Sequence, residues 1–177
     1  SYVITAVEFA SANEQDAGLI SVPPYHIAGM SSILTSVYAG RRMAYLTAFT
    51  PEGWVETVVR EKIMRAMVVP TMLDRILDVL ETHGEMLPEL KALTSGGGRM
   101  PMPVIKRALK MLPHVNFVNA YGLTETSSTI SILGPDDHRN AITSDDADVQ
   151  KRLGSVGQPI PGIEVEVRDE NGKPLGT

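Results

Sequence analysis

The 177-residue chain contains no cysteine. That excludes disulfide bonds, thiolate metal sites and a cysteine nucleophile, and it is consistent with a cytoplasmic setting. An excess of basic residues is also missing. The formal net charge of -5 leaves no electrostatic footprint for nucleic acid. Every apolar run is interrupted well before the length of a membrane span, so no span is expected. Ser1–Ala12 mixes Glu8 into its apolar residues and opens on no basic segment, so it is not expected to be a signal peptide. What is present is ordinary for a globular protein: 43% hydrophobic and 21% charged residues, and a length sufficient for one domain with a sizeable core.

Up to about residue 134 the chain reads as alternating strand and helix. Ser1–Ala12 suits a helix with Val3, Val7 and Ala10 on its apolar face. Ala17–Val22, ahead of Pro23-Pro24, suits a buried strand. Ile27, Met30, Leu34, Val37 and Tyr38 then recur at helical spacing up to Gly40, a C-terminal cap. Strands are expected at Arg42–Leu46, Ala66–Val69, Leu90–Thr94 and Val115–Ala120. Helices are expected from Pro51, from Thr71 (with Asp74 completing a capping box) and over Pro103–Leu112. This alternation predicts an α/β fold, a mostly parallel sheet flanked by helices. Right-handed crossovers bring its strand-to-helix turns to one edge.

Gly134–Leu153 has little periodicity and reads as a loop, its aspartates (136, 137, 145, 146 and 148) simply solvated. From Gly162 the pattern alternates strictly: Ile163, Val165 and Val167 on one face, Glu164, Glu166 and Arg168 on the other. An Asn171-Gly172 turn follows. Residues 1–153 are therefore read as an α/β subdomain. Residues 154–177 are read as the first strands of a truncated β-rich one, as if the chain were cut from something longer.

Ligands of open parallel sheets bind outside the carboxyl ends of the strands. Three unusual segments fall at such ends: Pro23-Pro24-Tyr25-His26, Ser95-Gly96-Gly97-Gly98 and Tyr121-Gly122-Leu123-Thr124-Glu125. The glycines let backbone approach a ligand, or they form a turn into the next helix. Spacing alone favours the turn. They form neither a Walker loop nor GxGxxG. In the third segment a phenol ring beside glycine offers a base a stacking face. A threonine hydroxyl can reach phosphate, and the next carboxylate can hold magnesium. An N-capped helix start at Thr124 explains the same residues equally well. His26 either lines a pocket or is a hydrogen-bonded histidine near a helix start. His83, His114 and His138 show no ligand spacing.

Asn119-Ala120-Tyr121-Gly122-Leu123-Thr124-Glu125-Thr126 resembles the signature of the adenylate-forming (AMP-binding) superfamily, which includes acyl-CoA synthetases, luciferases and peptide-synthetase adenylation domains. Pro23–Gly29, Thr94–Gly98 and Gly154–Gly162 resemble its other motifs, in the family's order and across nearly the whole chain. The resemblance implies ATP, magnesium and, in the acyl-CoA branch, coenzyme A. An acid and ATP give acyl-AMP and pyrophosphate, and a thiol then displaces AMP. By position, it implies that Tyr121 stacks on adenine, with Asn119, Ala120, Gly122, Gly97 and Gly98 around the nucleotide. Thr124 and Glu125 become the catalytic pair, Thr124 on the α-phosphate and Glu125 on magnesium. His26 and Gly96 border the acyl pocket.

Leu123, and the His26-Ile27-Ala28-Gly29 context, resemble the acid–CoA ligase branch; Ile27 and Met30 suit a fatty or aromatic acid and equally suit the core. The family's phosphate loop, ribose-binding aspartate and lysine-bearing C-terminal domain are not in this sequence, so the chain alone is expected to show little or no ligase activity. A non-catalytic nucleotide-binding module and a peptide-synthetase adenylation domain are the alternatives. A dinucleotide-binding domain is disfavoured because no GxGxxG opens the first strand–helix unit. The particular acid and the oligomeric state are not legible.

Overall fold

A computed structural model describes residues 3, 4, 7–126 and 128–175. Alternation of strand and helix builds β1 (Ala17–Ile20), α1 (Ile27–Ala39), β2 (Arg42–Tyr45), α2 (Pro51–Arg60), β3 (Arg65–Val68), α3 (Pro70–His83), β4 (Ala92–Gly96), α4 (Met102–Met111) and β5 (Asn116–Leu123). The chain then turns back as β6 (Ser128–Leu133) before α5 (Pro135–Thr143), α6 (Ala147–Lys151), a short 3-10 turn (Arg152–Gly154) and β7 (Gln158–Pro159). The sheet order is β2-β1-β3-β4-β5-β6-β7. The strands from β2 to β5 are parallel, and β6 and β7 join antiparallel. The sheet is thus mostly parallel and flanked by helices, as its sequence pattern predicts.

Local chemistry explains most element ends. His26 caps α1, its Nδ1 accepting from Ala28 N at 3.3 Å, and Gly40 ends it in a left-handed conformation at φ 73°. Thr50 caps α2 by accepting from Gly53 N at 3.1 Å, with Pro51 at the first helical position. The capping box expected at Thr71 is absent. Pro70 already opens α3, which puts Thr71 inside the first turn. Asp74 instead meets Arg107 of α4 at 3.4 Å. Arg107 also binds Asp78 and Glu81, each at 2.7 Å, and its guanidinium holds the Glu81 carboxyl below its ordinary value.

The core lies on one face of the sheet. Leu19 of β1, Val68 of β3, Leu93 of β4 and Phe117 of β5 pack there against Trp54 of α2, Leu73, Ile76 and Leu77 of α3, and Ile105 of α4. Each fully buried aliphatic side chain contributes about 1.5–3 kcal/mol. α1 contacts β1, β2 and β6 instead.

Two further expectations fail. Gly134–Leu153 is not a loop: Asp137 reaches back to Gly134 N at 3.3 Å to start α5, and Asp146 accepts from Asp148 N at 2.8 Å to cap α6. Asp136 and Asp148 pair with Arg139 and Lys151, each at 2.7 Å. The aspartates are helix-starting residues whose negative charge suits an N-terminal dipole. Only His138 and Ala141 of α5 are buried, too narrow a stripe to show as periodicity. The strand expected from Ile163 to Val167 is likewise absent, and those three apolar residues are 40%, 48% and 63% exposed. The Asn171-Gly172 turn does form, with a single bridge from Arg168 to Pro174. A two-stranded ribbon whose apolar face stays exposed among the described residues is marginal.

The helix expected over Ser1–Ala12 falls partly on Ser1, Tyr2, Thr5 and Ala6, which lie outside the described residues. Phe9 and Ala10 form a turn, and Ala10 N and Ala12 N donate to the carbonyls of Tyr38 and Ala39.

His138 is 1% exposed, its Nδ1 2.8 Å from the Gly134 carbonyl, and burial pushes its pKa below the ordinary value. The unfolded chain therefore takes up this proton first as pH falls. Stability should be full above about pH 6.5 and decline below it until the folded-state value is reached. Thermal melts between pH 5 and 8 test this: a midpoint that does not fall below pH 6.5, or falls equally in His138→Gln, contradicts it.

Candidate functional site

The carboxyl edge of the sheet gathers the three segments that the sequence singles out. Pro23–His26 follows β1, Gly96-Gly97-Gly98 closes β4, and Tyr121–Glu125 ends β5 and turns into β6. No helix starts at Thr124. Residues 124–126 are the tip of a hairpin, where Thr126 Oγ1 accepts from Leu123 N and donates to Leu123 O, both at 2.9 Å. The pairing slips after Tyr121, which leaves Ile130 of β6 as an extra residue opposite the Tyr121-Gly122 step.

Strand alternation divides the site between two faces of the sheet. Phe117 points into the core, and Asn119 follows it on that face, its Nδ2 donating to Ser155 O at 3.2 Å. Tyr121 continues this series and is 40% exposed at the edge. Ala120 and Gly122 face the other way and line a cavity of about 250 Å³ beneath α1. His26, Ile27, Gly97 and Thr129 line the same cavity. The structure therefore groups His26 with Gly97, Ala120 and Gly122. Asn119 and Tyr121 lie across the strand from them, and the exposed Thr124 and Glu125 sit at the hairpin tip.

Gly96 is not part of the cavity lining. A Cβ there would stand 2.8 Å from the Ala120 carbonyl, so a bare backbone keeps β4 close to β5 at the site. Gly98 lies against Pro70, where a Cβ would find ordinary contacts at 3.8 Å. Met30 is 43% exposed and faces away from the cavity, whereas Ile27 lines it. His26 fits both sequence readings at once, because it caps α1 and borders the cavity.

Buried polar residues tie these parts together. Asn119 is 8% exposed and its Oδ1 lies 3.5 Å from Ser95 Oγ. Its bond to Ser155 joins β5 to the Gly154–Gly162 segment, which β7 attaches to β6. Sequence reasoning missed Thr94, Thr129 and the hydroxyl stripe of α1 (Ser32, Thr35, Ser36), all lining the cavity. The signal for the stripe was available: three small hydroxyl residues at helical spacing inside an otherwise apolar helix.

Among the described residues no cluster of three His, Asp or Glu side chains forms a self-sufficient metal cage. Glu125 is a single carboxylate at an open tip. Magnesium commonly takes one or two carboxylates and fills its remaining positions with phosphate oxygens and water, so this donor set fits it.

The three segments gathered at this carboxyl edge are the ones whose sequences resemble the motifs of adenylate-forming proteins. The chain belongs to the AMP-binding enzyme family, which matches residues 1–177. It is 28% identical over 169 residues to a 2-succinylbenzoate–CoA ligase of Lactococcus lactis, covering 95% of this chain and 33% of the relative. The o-succinylbenzoate CoA synthetase of Bacillus subtilis, solved with its acyl-adenylate intermediate, superposes with a TM-score of 0.74 at 25% identity, over 94% of this chain and 31% of that one. An amide bond synthetase of Marinactinospora thermotolerans shares the fold at TM-score 0.80 and 24% identity, over 98% and 33% of the two chains. The chain thus spans about a third of the length of the curated relatives it matches.

Proposed function

We propose that this chain forms the acid- and nucleotide-binding centre of an ATP-dependent carboxylic acid–CoA ligase. The observation that carries the reading is the division of β5: adjacent residues, Ala120 and Tyr121, serve opposite faces of one strand end. An acid in the cavity under α1 and a nucleotide beside Tyr121 would then meet at the carboxyl edge, with no residue between their reacting groups. The synthetase of Bacillus subtilis has been solved with ATP and magnesium, which supports this choice of ligands.

Tyr121 stacks on the adenine, and Asn119 and Gly98 border the base. Gly97 lies between the nucleotide and the cavity, and His26 stands at the cavity's mouth, where the acyl group enters. Magnesium, when bound, neutralises phosphate charge as the acid carboxylate attacks the α-phosphate. Glu125 anchors it, and the Thr124 hydroxyl donates to the α-phosphate. Positioning and electrostatic stabilisation supply the acceleration, because negative charge gathers at phosphorus in the transition state. Pyrophosphate leaves, and the thiol of coenzyme A then displaces AMP from the acyl adenylate. Residues 154–177 we assign to the opening of a β-rich subdomain. The reaction we place in the cytoplasm; no described helix is long and apolar enough to cross a membrane.

Calorimetric titration of the chain with ATP tests the reading. Binding should require magnesium, and Glu125→Gln should weaken the magnesium dependence without unfolding the chain. ATP binding that ignores magnesium, or no binding at all, would argue against it.

A further inference from the structure

The end of the cavity away from the carboxyl edge is polar. α1 reverses the usual amphipathic arrangement: Met30, Leu34 and Val37 are 43%, 48% and 61% exposed, while Ser32, Thr35 and Ser36 turn toward the cavity. Ser36 is 4% exposed, and its hydroxyl has no hydrogen-bond partner among the described residues. The hydroxyl lines the cavity, where water or an acceptor on a ligand completes its bonding.

Charge accumulates at the same end. Arg41 and Arg65 line the cavity and share one carboxylate, Asp16, with Arg41 Nε 3.2 Å from Oδ2 and Arg65 Nε 3.5 Å from Oδ1. The Arg41 and Asp16 side chains are only 10% and 11% exposed. Neither Arg41 Nε nor Asp16 Oδ1 completes a hydrogen bond. Two guanidinium groups against one carboxylate leave a net positive charge. The hydroxyl and the cation converge on the bare backbone of Gly18, where a Cβ would lie 3.3 Å from Arg41 Cδ and 3.5 Å from Ser36 Oγ.

We propose that this end receives the far end of the acid, and that the acid is a dicarboxylate. The proposal rests on the acid–CoA ligase reading and names its substrate class. Arg65 begins β3 and Val68 ends it, a rise of about 10 Å from the polar end to the carboxyl edge. One carboxylate of the acid lies at the mouth beside His26 and Gly97. The other accepts from the Ser36 hydroxyl and from the free guanidinium N–H groups, which are charge-assisted bonds. A methyl-terminated acid of the same length would leave that hydroxyl and that charge unpaired, so the site rejects it.

Heptanedioate and heptanoate form the test pair, titrated into the chain by ligand-observed NMR, with ATP binding measured on the same samples. Heptanedioate should bind about tenfold tighter or more. Arg41→Gln risks loosening the fold, because the arginine stem packs across Gly18, so the informative variants are Ser36→Ala and Arg65→Gln. Each should reduce the preference several-fold while leaving heptanoate binding unchanged. Equal affinity for the two acids, an unaltered preference in both variants, or no binding of either acid overturns the proposal. If ATP still binds in a magnesium-dependent way in those cases, the ligase reading survives. If ATP binding is also absent, both fall together.

Discussion

Replacing Gly157 with alanine should release β7 from β6 while the α/β body stays folded. Gly157 sits at φ 76°, where a residue with a Cβ pays about 1–2 kcal/mol. The added Cβ would also stand 1.8 Å from the Ile132 carbonyl oxygen and 2.1 Å from its carbon. No rotamer change relieves a clash with backbone, so the two segments must separate. What holds them is small: the two-residue pairing of Ser131 with Pro159 and Ile132 with Gln158, and the bond from Ile160 N to Ile130 O. At about 0.5–1.5 kcal/mol net per hydrogen bond, this attachment is weaker than the combined strain and overlap, and it gives way. The core under α2, α3 and α4 does not depend on β7.

Amide exchange should therefore show Ile160 losing its protection, while Leu73 and Phe117 keep theirs. Ser155 would move with the segment, Asn119 would lose its acceptor, and ATP affinity should fall with it. A Gly157→Ala protein with Ile160 still protected would show that the Ile132 contact is softer than its geometry indicates.

The parts that sequence made legible share a physical basis. β1 to β5 and their helices were readable because each buries a face against the sheet, and burial writes periodicity into the chain. Pro51, Gly40 and the hydrophobic stripe of α3 are clear marks of this kind. β6 was hidden because Ser128–Leu133 mixes hydroxyl and apolar residues, and because Thr124 imitates a helix cap. Its identity as a strand comes from pairing with β5, which is a long-range contact. α5 was hidden by the narrowness of its buried stripe. Conversely, Ile163, Val165 and Val167 display the period of a strand, yet among the described residues nothing covers them. Periodicity records which face a segment can bury, not whether something covers it.

The site shows the same limit. The motifs named the residues at the edge, but not that Ala120 and Tyr121 face opposite ways, nor that α1 turns its hydroxyls inward. The apolar residues of α1 do recur at helical spacing, and Ile27 does line the cavity, but Met30, Leu34 and Val37 point outward. Only the position of α1 over the sheet decides which of its stripes faces the acid.

That division of faces makes the effect of Tyr121→Ala specific. The ring lies at an exposed strand end, outside the core cluster, so its loss should leave the melting temperature nearly unchanged. Stacking of a base on an aromatic ring is worth about 1–3 kcal/mol by alanine substitution. Since about 1.4 kcal/mol is tenfold in affinity, ATP should bind roughly tenfold to a hundredfold more weakly. Tyr121→Phe retains the ring face and should bind ATP nearly as well as the parent chain. Acid binding should be untouched, because the residues of β5 that line the cavity are Ala120 and Gly122. Parallel titrations of ATP and of a dicarboxylate against all three proteins separate the possibilities. If Tyr121→Ala binds ATP like the parent, the base does not lie on this ring. If it loses acid and nucleotide together, the two halves of the site are not divided by the strand but share one pocket around Tyr121.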